Sequence, residues 1–530
     1  MVRGVPRGWE SLTKGLFLPL LGGDATQERV ESGASTRRLL IEFLLRKGFF
    51  AEIGLIEKDA SLSSWCTPNR NGRRTRMRRK REAVLPFEWN NDHLPKVVRE
   101  HREKYKRISR LLDENPGILD LVHEELKSLS QGGRGGRDAD FTSETILRAL
   151  VVHAIEGNSL RETVILIAGS DFLQDFLRTR KKAMMDYTFL DKCVLAIRPA
   201  TWKRINDLLG QKAAAEGQIE PGTIRTDTTV VESNIHWPTD SSLLWDTWRV
   251  ASRLLRRARA TCPGSCPHRF HDQKVKGLHL FVTRYIKSTS KARRRAVQKT
   301  FRTLIERVEW IVGIVKEFCH WAGTSADVDL MALAAELKGL LPAMNGVVAQ
   351  ARRAQIEGEK VPAAERVFSI FEPHTELIKR GRREKPVEFG HVVLLCQSGE
   401  KFITDYEVLE HRIADCDLTE TVIERHEALF GERPEVVAAD KGFCPDAEKY
   451  AELEAQVGTL AIPRRMRDLA DALMRTWQCF RAGIEGTISG LKRAFRLSRC
   501  FYRGFKGFGS SVGLGVFCHN LTVLAKQGGT

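Results

Sequence analysis

Val436-Val-Ala-Ala439 is a short apolar run that ends directly on an acid, Asp440, after which Lys441-Gly442 turn the chain away. Such a run reads as a buried strand of an α/β sheet. Ligand chemistry in these sheets gathers outside the carboxyl ends of the strands, so Asp440 stands where a working carboxylate is placed. Two other acids are set off in the same manner. Asp227 lies inside the strand-like run Thr223-Ile-Arg-Thr-Asp227-Thr-Thr-Val-Val231, and Glu485 lies within the helical run 477–492.

A chain of 530 residues can bury a sizeable core and divides into two or three domains of roughly 100–200 residues each. Lys and Arg number 85 against 67 Asp and Glu, a net charge of +18. That excess favours a polyanionic partner, because each neutralised phosphate releases a counterion. Charge alone does not separate DNA, RNA and an anionic membrane. No run of about 18 apolar residues stands out, so no membrane span is expected. The patch 15–21 is broken by Pro19 and lacks a small-residue cleavage site after it, which argues against a signal peptide.

Eleven scattered cysteines suit reduced thiols in a cytoplasm. The cluster Cys262-Pro-Gly-Ser-Cys266-Pro-His268-Arg-Phe-His271 has the side chains for zinc. Ligands so close together rarely complete a tetrahedral site unaided, and a proline-rich loop between helices is the plainer reading.

Along the chain, residues 1–76 show little periodicity and read as an upstream extension that the fold does not need; 69–82 form a solvated basic run, and the range 1–90 is expected to be a basic, disordered extension. Helical spacing begins near Leu94 and continues, past the Gly-rich linker 131–137, to about Ala215. The range 91–218 is therefore expected to be a helical DNA-binding or dimerisation region. Within it, helices at 146–154 and 159–164 meet at Gly157-Asn158. They fit either a DNA-reading helix-turn-helix or a plain helical hairpin.

The range 219–530 is expected to form the catalytic domain. It opens with strand 223–231, followed by a long helical stretch at about 245–375 that carries the basic block 291–302. A hairpin (387–396 and 401–406), a strand at 435–439 and another at 457–462 follow, interleaved with helices at 420–430, 446–455 and 474–495. A mixed α/β sheet flanked by helices, interrupted by a helical insertion after its first strand, is the simplest packing.

Phosphodiester cleavage needs an activated oxygen nucleophile and a stabilised leaving oxygen, which two Mg²⁺ ions about 3.5–4 Å apart supply. Mg²⁺ takes hard oxygen ligands and keeps several waters, so two or three carboxylates on rigid elements suffice. Asp227, Asp440 and Glu485 have the right chemistry for this. Arg481, Glu485 and Lys492 share one helical face, beside an apolar stripe of Ile484, Ile488, Leu491 and Phe495. A carboxylate between two cations suits a metal next to a phosphate. Asp240 and Asp246 lie just beyond the first strand, and Asp240 competes with Asp227 as first ligand. His236, Trp237, Trp245, Trp248, Trp310 and Trp321 are candidates for lining a DNA path or stacking on an unpaired base, against the plainer role of core packing.

Over roughly 77–526 the chain resembles the DDE transposases of bacterial insertion sequences, most closely the loosely classified ISNCY-type group. The resemblance is carried by Arg225-Thr-Asp-Thr-Thr-Val-Val-Glu-Ser-Asn-Ile-His-Trp-Pro-Thr-Asp-Ser-Ser-Leu-Leu244, by Ala439-Asp-Lys-Gly-Phe443, and by Arg481 with Glu485 and Lys492. It extends to Tyr502-Arg-Gly-Phe-Lys-Gly-Phe508 and a closing helix over 512–525. It implies an RNase H-like fold, with Asp227, Asp440 and Glu485 as ligands of two Mg²⁺ or Mn²⁺. It further implies Arg481 and Lys492 as grips on the DNA backbone, with Lys441 a further DNA contact. Two departures stand out. Relatives often carry a tyrosine where this chain has Gln478, and many place their insertion between the last strand and the glutamate helix, whereas here it follows the first strand.

The resemblance implies a transposase that binds the terminal inverted repeats of its element as a homodimer on double-stranded DNA. It would cleave there and join the 3′-OH ends to target DNA, in the cytoplasm and without a membrane. The rivals are an RNase H-like metal nuclease without strand transfer and a non-catalytic DNA-binding relic.

Overall fold

The computed structural model describes residues 78–81, 87, 89–130, 141–179, 184–325, 327–379, 385–465 and 471–527. The expected extension at 1–76 and the Gly-rich linker at 131–137 lie outside the described residues, as does all of the basic run 69–82 except 78–81.

The middle of the sheet is β1 (Thr223–Ser233). On one side it pairs antiparallel with β3 (Val387–Ser398), from Ile224↔Ser398 to Glu232↔Gly390. On the other it pairs parallel with β5 (Val436–Ala438), from Thr223↔Val436 to Arg225↔Ala438. Outside β5 lies β6 (Thr459–Ala461), also parallel. The far edge of β3 is shared by β2 (Glu376–Lys379) and β4 (Ile403–Val408), both antiparallel to it. A two-residue β7 (Arg499–Cys500) extends the far end of β1. The five strands expected from sequence are all present with shifted ends. The two that were not expected, β2 with four residues and β7 with two, pair at the rim.

Alternation sorts β1 and β3 onto two covered faces. Ile224, Val230, Val392 and Leu394 pack under α12 (Leu418–Phe430) and α13 (Ala447–Glu454). Val231, Val393 and Leu395 pack under α14 (Ala472–Arg493) and α15 (Gly504–Gln527). The result is a mixed seven-stranded sheet with helices on both faces.

Among the described residues seven α-helices precede the sheet: α1 (Lys96–Glu114), α2 (Pro116–Lys127), α3 (Ser143–Ile155), α4 (Leu160–Ala168), α5 (Asp171–Phe176), α6 (Tyr187–Ala196) and α7 (Pro199–Ala215). Helices α3 and α4 are the pair whose turn at Gly157-Asn158 fits a helix-turn-helix. α3 is buried from Ser143 to Ala154, so it forms the centre of a bundle and presents no free face.

Between β1 and β2 run four more helices, α8 (Asp240–Thr261), α9 (Asp272–Tyr285), α10 (Lys291–Ala322) and α11 (Val328–Gln355), which share a hydrophobic core of their own. Trp248 is buried in that core and stacks on Trp310 at 6.0 Å, with Phe270 edge-on to both. The Cys262–His271 segment is the loop between α8 and α9, where Arg259 donates to the His268 carbonyl at 3.1 Å. No three His, Cys, Asp or Glu side chains gather there for zinc among the described residues. The ten described cysteines are free.

Helix α15 joins the two halves. Leu514, Phe517, Cys518 and Leu521 pack into the bundle of α1–α7, while Phe508, Val512 and Val516 pack onto the sheet. An element buried on both sides must be apolar all round, and α15 is in fact long and apolar enough to cross a membrane, although most of it is inside this protein. Glycines, serines and single polar residues interrupt it, so it contains no unbroken apolar run of about 18 residues.

Polar groups fix the register of α15. The Asn520 side chain accepts from Ile403 N–H at 2.9 Å and donates to Ile403 C=O at 2.9 Å, occupying the open edge of β4 as a further strand would. At the other end Gly504 N–H and His374 Nε2 both bond Glu372 Oε2 at 2.8 Å.

Glycines let α15 come close to its neighbours. A Cβ on Gly513 would lie 2.5 Å from Trp202 Cβ and 2.6 Å from Tyr406 Oη. Gly339, in exposed α11, has nothing within 4 Å of that position. Alanine raises helix propensity at both sites by about 1 kcal/mol, but only at Gly513 does it overpack. Urea unfolding should show Gly339→Ala raising stability by up to about 1 kcal/mol and Gly513→Ala lowering it by about 1–3 kcal/mol; equal effects at the two positions would contradict this packing.

Candidate active site

Register alone brings two of the three acids level. Arg225 pairs with Ala438 across the parallel β1–β5 ladder, so two residues further on Asp227 and Asp440 stand side by side where β5 ends. Asp440 leaves the strand and caps the short turn Lys441–Phe443, its Oδ1 accepting from Gly442 N–H at 2.8 Å. Asp227 Oδ1 accepts from Thr228 N–H at 2.7 Å.

The third acid arrives on α14, which is pinned across the sheet at several points. Near its start, Gln478 Nε2 donates to Ala439 C=O at 3.0 Å and Ala461 C=O at 3.1 Å, tying the helix to the carboxyl ends of β5 and β6. The departure from tyrosine at this position therefore supplies two hydrogen bonds that hold the segment leading into Asp440. Trp477 and Phe480 pack against Val436, Ala438 and Ala461.

One turn further on, Arg225 of β1 reaches up to the helix. Its Nη1 donates to Phe480 C=O at 2.8 Å and its Nε to Gln397 Oε1 at 2.8 Å, while Gln397 Nε2 donates to Thr487 Oγ1 at 2.7 Å. A Cβ on Gly483 would sit 2.2 Å from that guanidinium, so glycine is what lets the helix settle on this knot. Ile484 and Leu491 then bury against the sheet, which turns Glu485 to the opposite side.

Arg481 links the site's charges. Its Nη1 lies 3.5 Å from Asp227 Oδ2 and its Nη2 lies 3.0 Å from Glu485 Oε1, whereas its buried Nε has no acceptor among the described residues. Burial pushes the Asp227 carboxyl up to about 6, with the negative charges of Asp440 and Glu485 adding to the rise. The Thr228 N–H and the Arg481 guanidinium pull the other way without cancelling it. The three carboxylates therefore share one electrostatic neighbourhood that is short of positive charge.

Lys441 is exposed beside Asp440. Lys492 lies two turns along α14 from Glu485, about 10 Å by helical rise, where it lines a small crevice with Thr229. The competing acids are occupied elsewhere. Asp240 takes hydrogen bonds from Arg366 Nη2 at 2.6 Å and Gln355 Nε2 at 2.8 Å, and Asp246 pairs with Arg249 at 2.7 Å. His236 lies 3.5 Å from Asp246, and Trp237 stands exposed with its ring edge-on to Phe389.

One neighbour escaped the sequence reading. Asp415 lies beside Gly442, with its Oδ2 3.5 Å from where a Gly442 Cβ would be, as Asp440 Oδ1 is at 3.0 Å, and it accepts from Thr228 Oγ1 at 3.2 Å. In sequence, Asp415-Cys-Asp417 looks like the acidic start of α12, which masks its approach to the strand ends.

The donor set fits Mg²⁺ or Mn²⁺ in kind, since it consists of hard carboxylates with an unmet need for positive charge. The spacing is wider than a closed coordination shell: among the described residues no three His, Cys, Asp or Glu side chains stand close enough to share one ion. In this conformation the Arg481 guanidinium supplies the positive charge between Asp227 and Glu485.

A raised carboxyl pKa favours folding at low pH, and that contribution is lost as pH rises through about 6. With no divalent ion present, Asp227→Asn should therefore stabilise the protein at pH 7.5 by on the order of 1–3 kcal/mol and have no stabilising effect at pH 4. Chemical denaturation at the two pH values checks this, and a variant less stable than the parent at pH 7.5 would contradict it. No family model, curated protein or solved structure matches this chain.

Proposed function

We propose that the chain is a metal-dependent DNA-cleaving and strand-transfer enzyme of the DDE transposase kind, built on an RNase H-like sheet. The observation that carries this reading is Asp227. It is a carboxylate on the middle strand, raised to about 6 by burial and by the charges of Asp440 and Glu485. A structural ion pair lowers a carboxyl pKa, whereas a cluster of acids short of countercharge is a mark of a functional site. The strand order β4-β3-β1-β5-β6, with β3 antiparallel to β1 and β5 and β6 parallel to it, supports the RNase H-like fold.

Asp227, Asp440 and Glu485 are the residues that would hold two Mg²⁺ or Mn²⁺. With both ions bound, such a site supplies an activated oxygen nucleophile and a stabilised leaving oxygen. Arg481, between Asp227 and Glu485, would offer its half-buried guanidinium to a non-bridging phosphate oxygen once metal met the charge of those acids. Lys441 and Lys492 flank it as further contacts to the backbone. Gln478 and Arg225 act through position, since they hold the strand end and α14 that carry the acids.

The substrate in this reading is the double-stranded terminal inverted repeats of an insertion sequence, bound by a homodimer in the cytoplasm, with target DNA as acceptor of the 3′-OH. Water and a 3′-OH are interchangeable nucleophiles at such a site, so one set of residues serves both cleavage and joining.

The test uses labelled element ends with Mg²⁺ or Mn²⁺. The parent should nick the ends and join them to a target plasmid, and Asp440→Asn should lose both activities by at least 100-fold while binding the ends with unchanged affinity. Cleavage that survives Asp440→Asn overturns the site. Cleavage without joining would reduce the enzyme to a metal nuclease, and binding without cleavage would leave a non-catalytic relic.

A further inference from the structure

The four helices between β1 and β2 contain a segment whose charge the candidate active site does not use. From residue 273 to 305 the chain carries ten Lys and Arg and no Asp or Glu. This segment is the hairpin of α9 and the first half of α10, joined at 286–290. Its apolar residues Val275, Val282, Val297, Phe301 and Leu304 turn into the core. The cations all remain on the outside: Lys274, Lys276 and Arg284 on α9, Lys287 in the joint, and the rest on α10.

A solvated helix face of ordinary kind carries both signs at helical spacing, which lets its charges pair. The same helices show this where they leave the hairpin. Arg256 pairs with Asp272 at 2.7 Å, and Arg352 of α11 pairs with Glu309 of α10. None of the ten hairpin cations has an ion-pair partner among the described residues. Two are nevertheless held in place: Arg294 Nη2 donates to Thr289 C=O at 2.9 Å, and the Arg293 guanidinium lies 5.0 Å from the centre of the Tyr285 ring. The fourteen residues of α9 run about 20 Å, roughly the axial length of six base pairs of duplex at 3.4 Å each.

We infer that the α9–α10 hairpin is a duplex-DNA backbone clamp, separate from the carboxylate site, which binds phosphates without reading sequence. Unpaired, exposed Lys and Arg are complementary to phosphate, while the hairpin's exposed apolar residues, Leu280 and Ile286, are too few for insertion into a bilayer. The inference rests on the DNA-directed reading above and adds to it a second grip on the duplex, carried by the element that interrupts the sheet.

The experiment measures binding of the full chain to a 40-base-pair duplex of mixed sequence across a salt series, with vesicles rich in phosphatidylserine as a second probe. The parent is compared with the fourfold variant Arg293→Ala, Arg294→Ala, Arg295→Ala, Lys299→Ala and with the matching variant in which the three arginines become lysine. Circular dichroism and the unfolding midpoint confirm that each variant is folded.

The neutralised variant should bind the duplex at least tenfold more weakly at 0.1 M salt, with a salt slope shallower by about 0.9 for each phosphate it no longer neutralises. The lysine variant should bind as the parent does. A neutralised variant that matches the parent in affinity and slope overturns the clamp, whether or not the parent cleaves DNA, as does a neutralised variant that loses vesicle binding and keeps duplex binding. A parent that binds the duplex through this hairpin but never cleaves element ends supports the clamp and removes the enzymatic reading alone.

Discussion

The burial of α15 on two sides is the constraint that the rest of the protein obeys. One side closes the core of the N-terminal helices through Leu514, Phe517 and Leu521, and the other closes the sheet through Phe508, Val512 and Val516. Neither core is complete without that helix, so the last described residues of the chain hold the first described helices against the sheet. The polar contacts of Asn520 with the edge of β4 set the height at which this happens. A helix seated at another height would leave this buried amide without both partners, at a cost on the order of several kcal/mol.

That seating has effects at the carboxylates. Helix α14 lies on the same face of the sheet as α15 and shares its core through Ile484 and Leu491. Its azimuth is then fixed by Arg225, Gln397 and Thr487 below and by Gln478 at the strand ends. Glu485 keeps its place relative to Asp227 because the apolar stripe and the polar knot agree on one rotation of the helix. The Asp227 carboxyl is penalised by its burial in this arrangement, which its contacts with Thr228 N–H and Arg481 offset only in part.

Much of this could be read from residue order. The apolar run ending on Asp440, the alternation around Asp227 and the periodicity of 484–491 each mark an element, and the parallel ladder then sets Asp227 level with Asp440. What escaped did so for physical reasons. β2 (Glu376–Lys379) and β7 (Arg499–Cys500) each open on a charged residue rather than being set in an apolar run, and they pair with longer neighbours that present open edges. Asp415 was hidden because an acid before a helix has a sufficient local explanation as the start of that helix. Helix α15 begins at Gly504, earlier than its apolar run suggests, since its glycines serve close packing against Trp202, Tyr406 and Leu497 rather than breaking the helix. No local pattern could show that Arg481 would lie between two of the acids.

The position of the four-helix segment between β1 and β3 has a kinetic side. Asp227 pairs with Leu395 across the longest antiparallel ladder in the sheet, yet every residue of α8 to α11 separates them in the chain. Contacts so distant in sequence form slowly, because closing a long flexible loop loses entropy before any pairing rewards it. The private core of α8–α11 shortens that loop: once those helices have collapsed, they bring residue 234 and residue 375 together as a single folded hinge. Refolding of the sheet is then gated by the insertion, and a lesion in the Trp248 core would surface as slow, aggregation-prone assembly of strands it never touches.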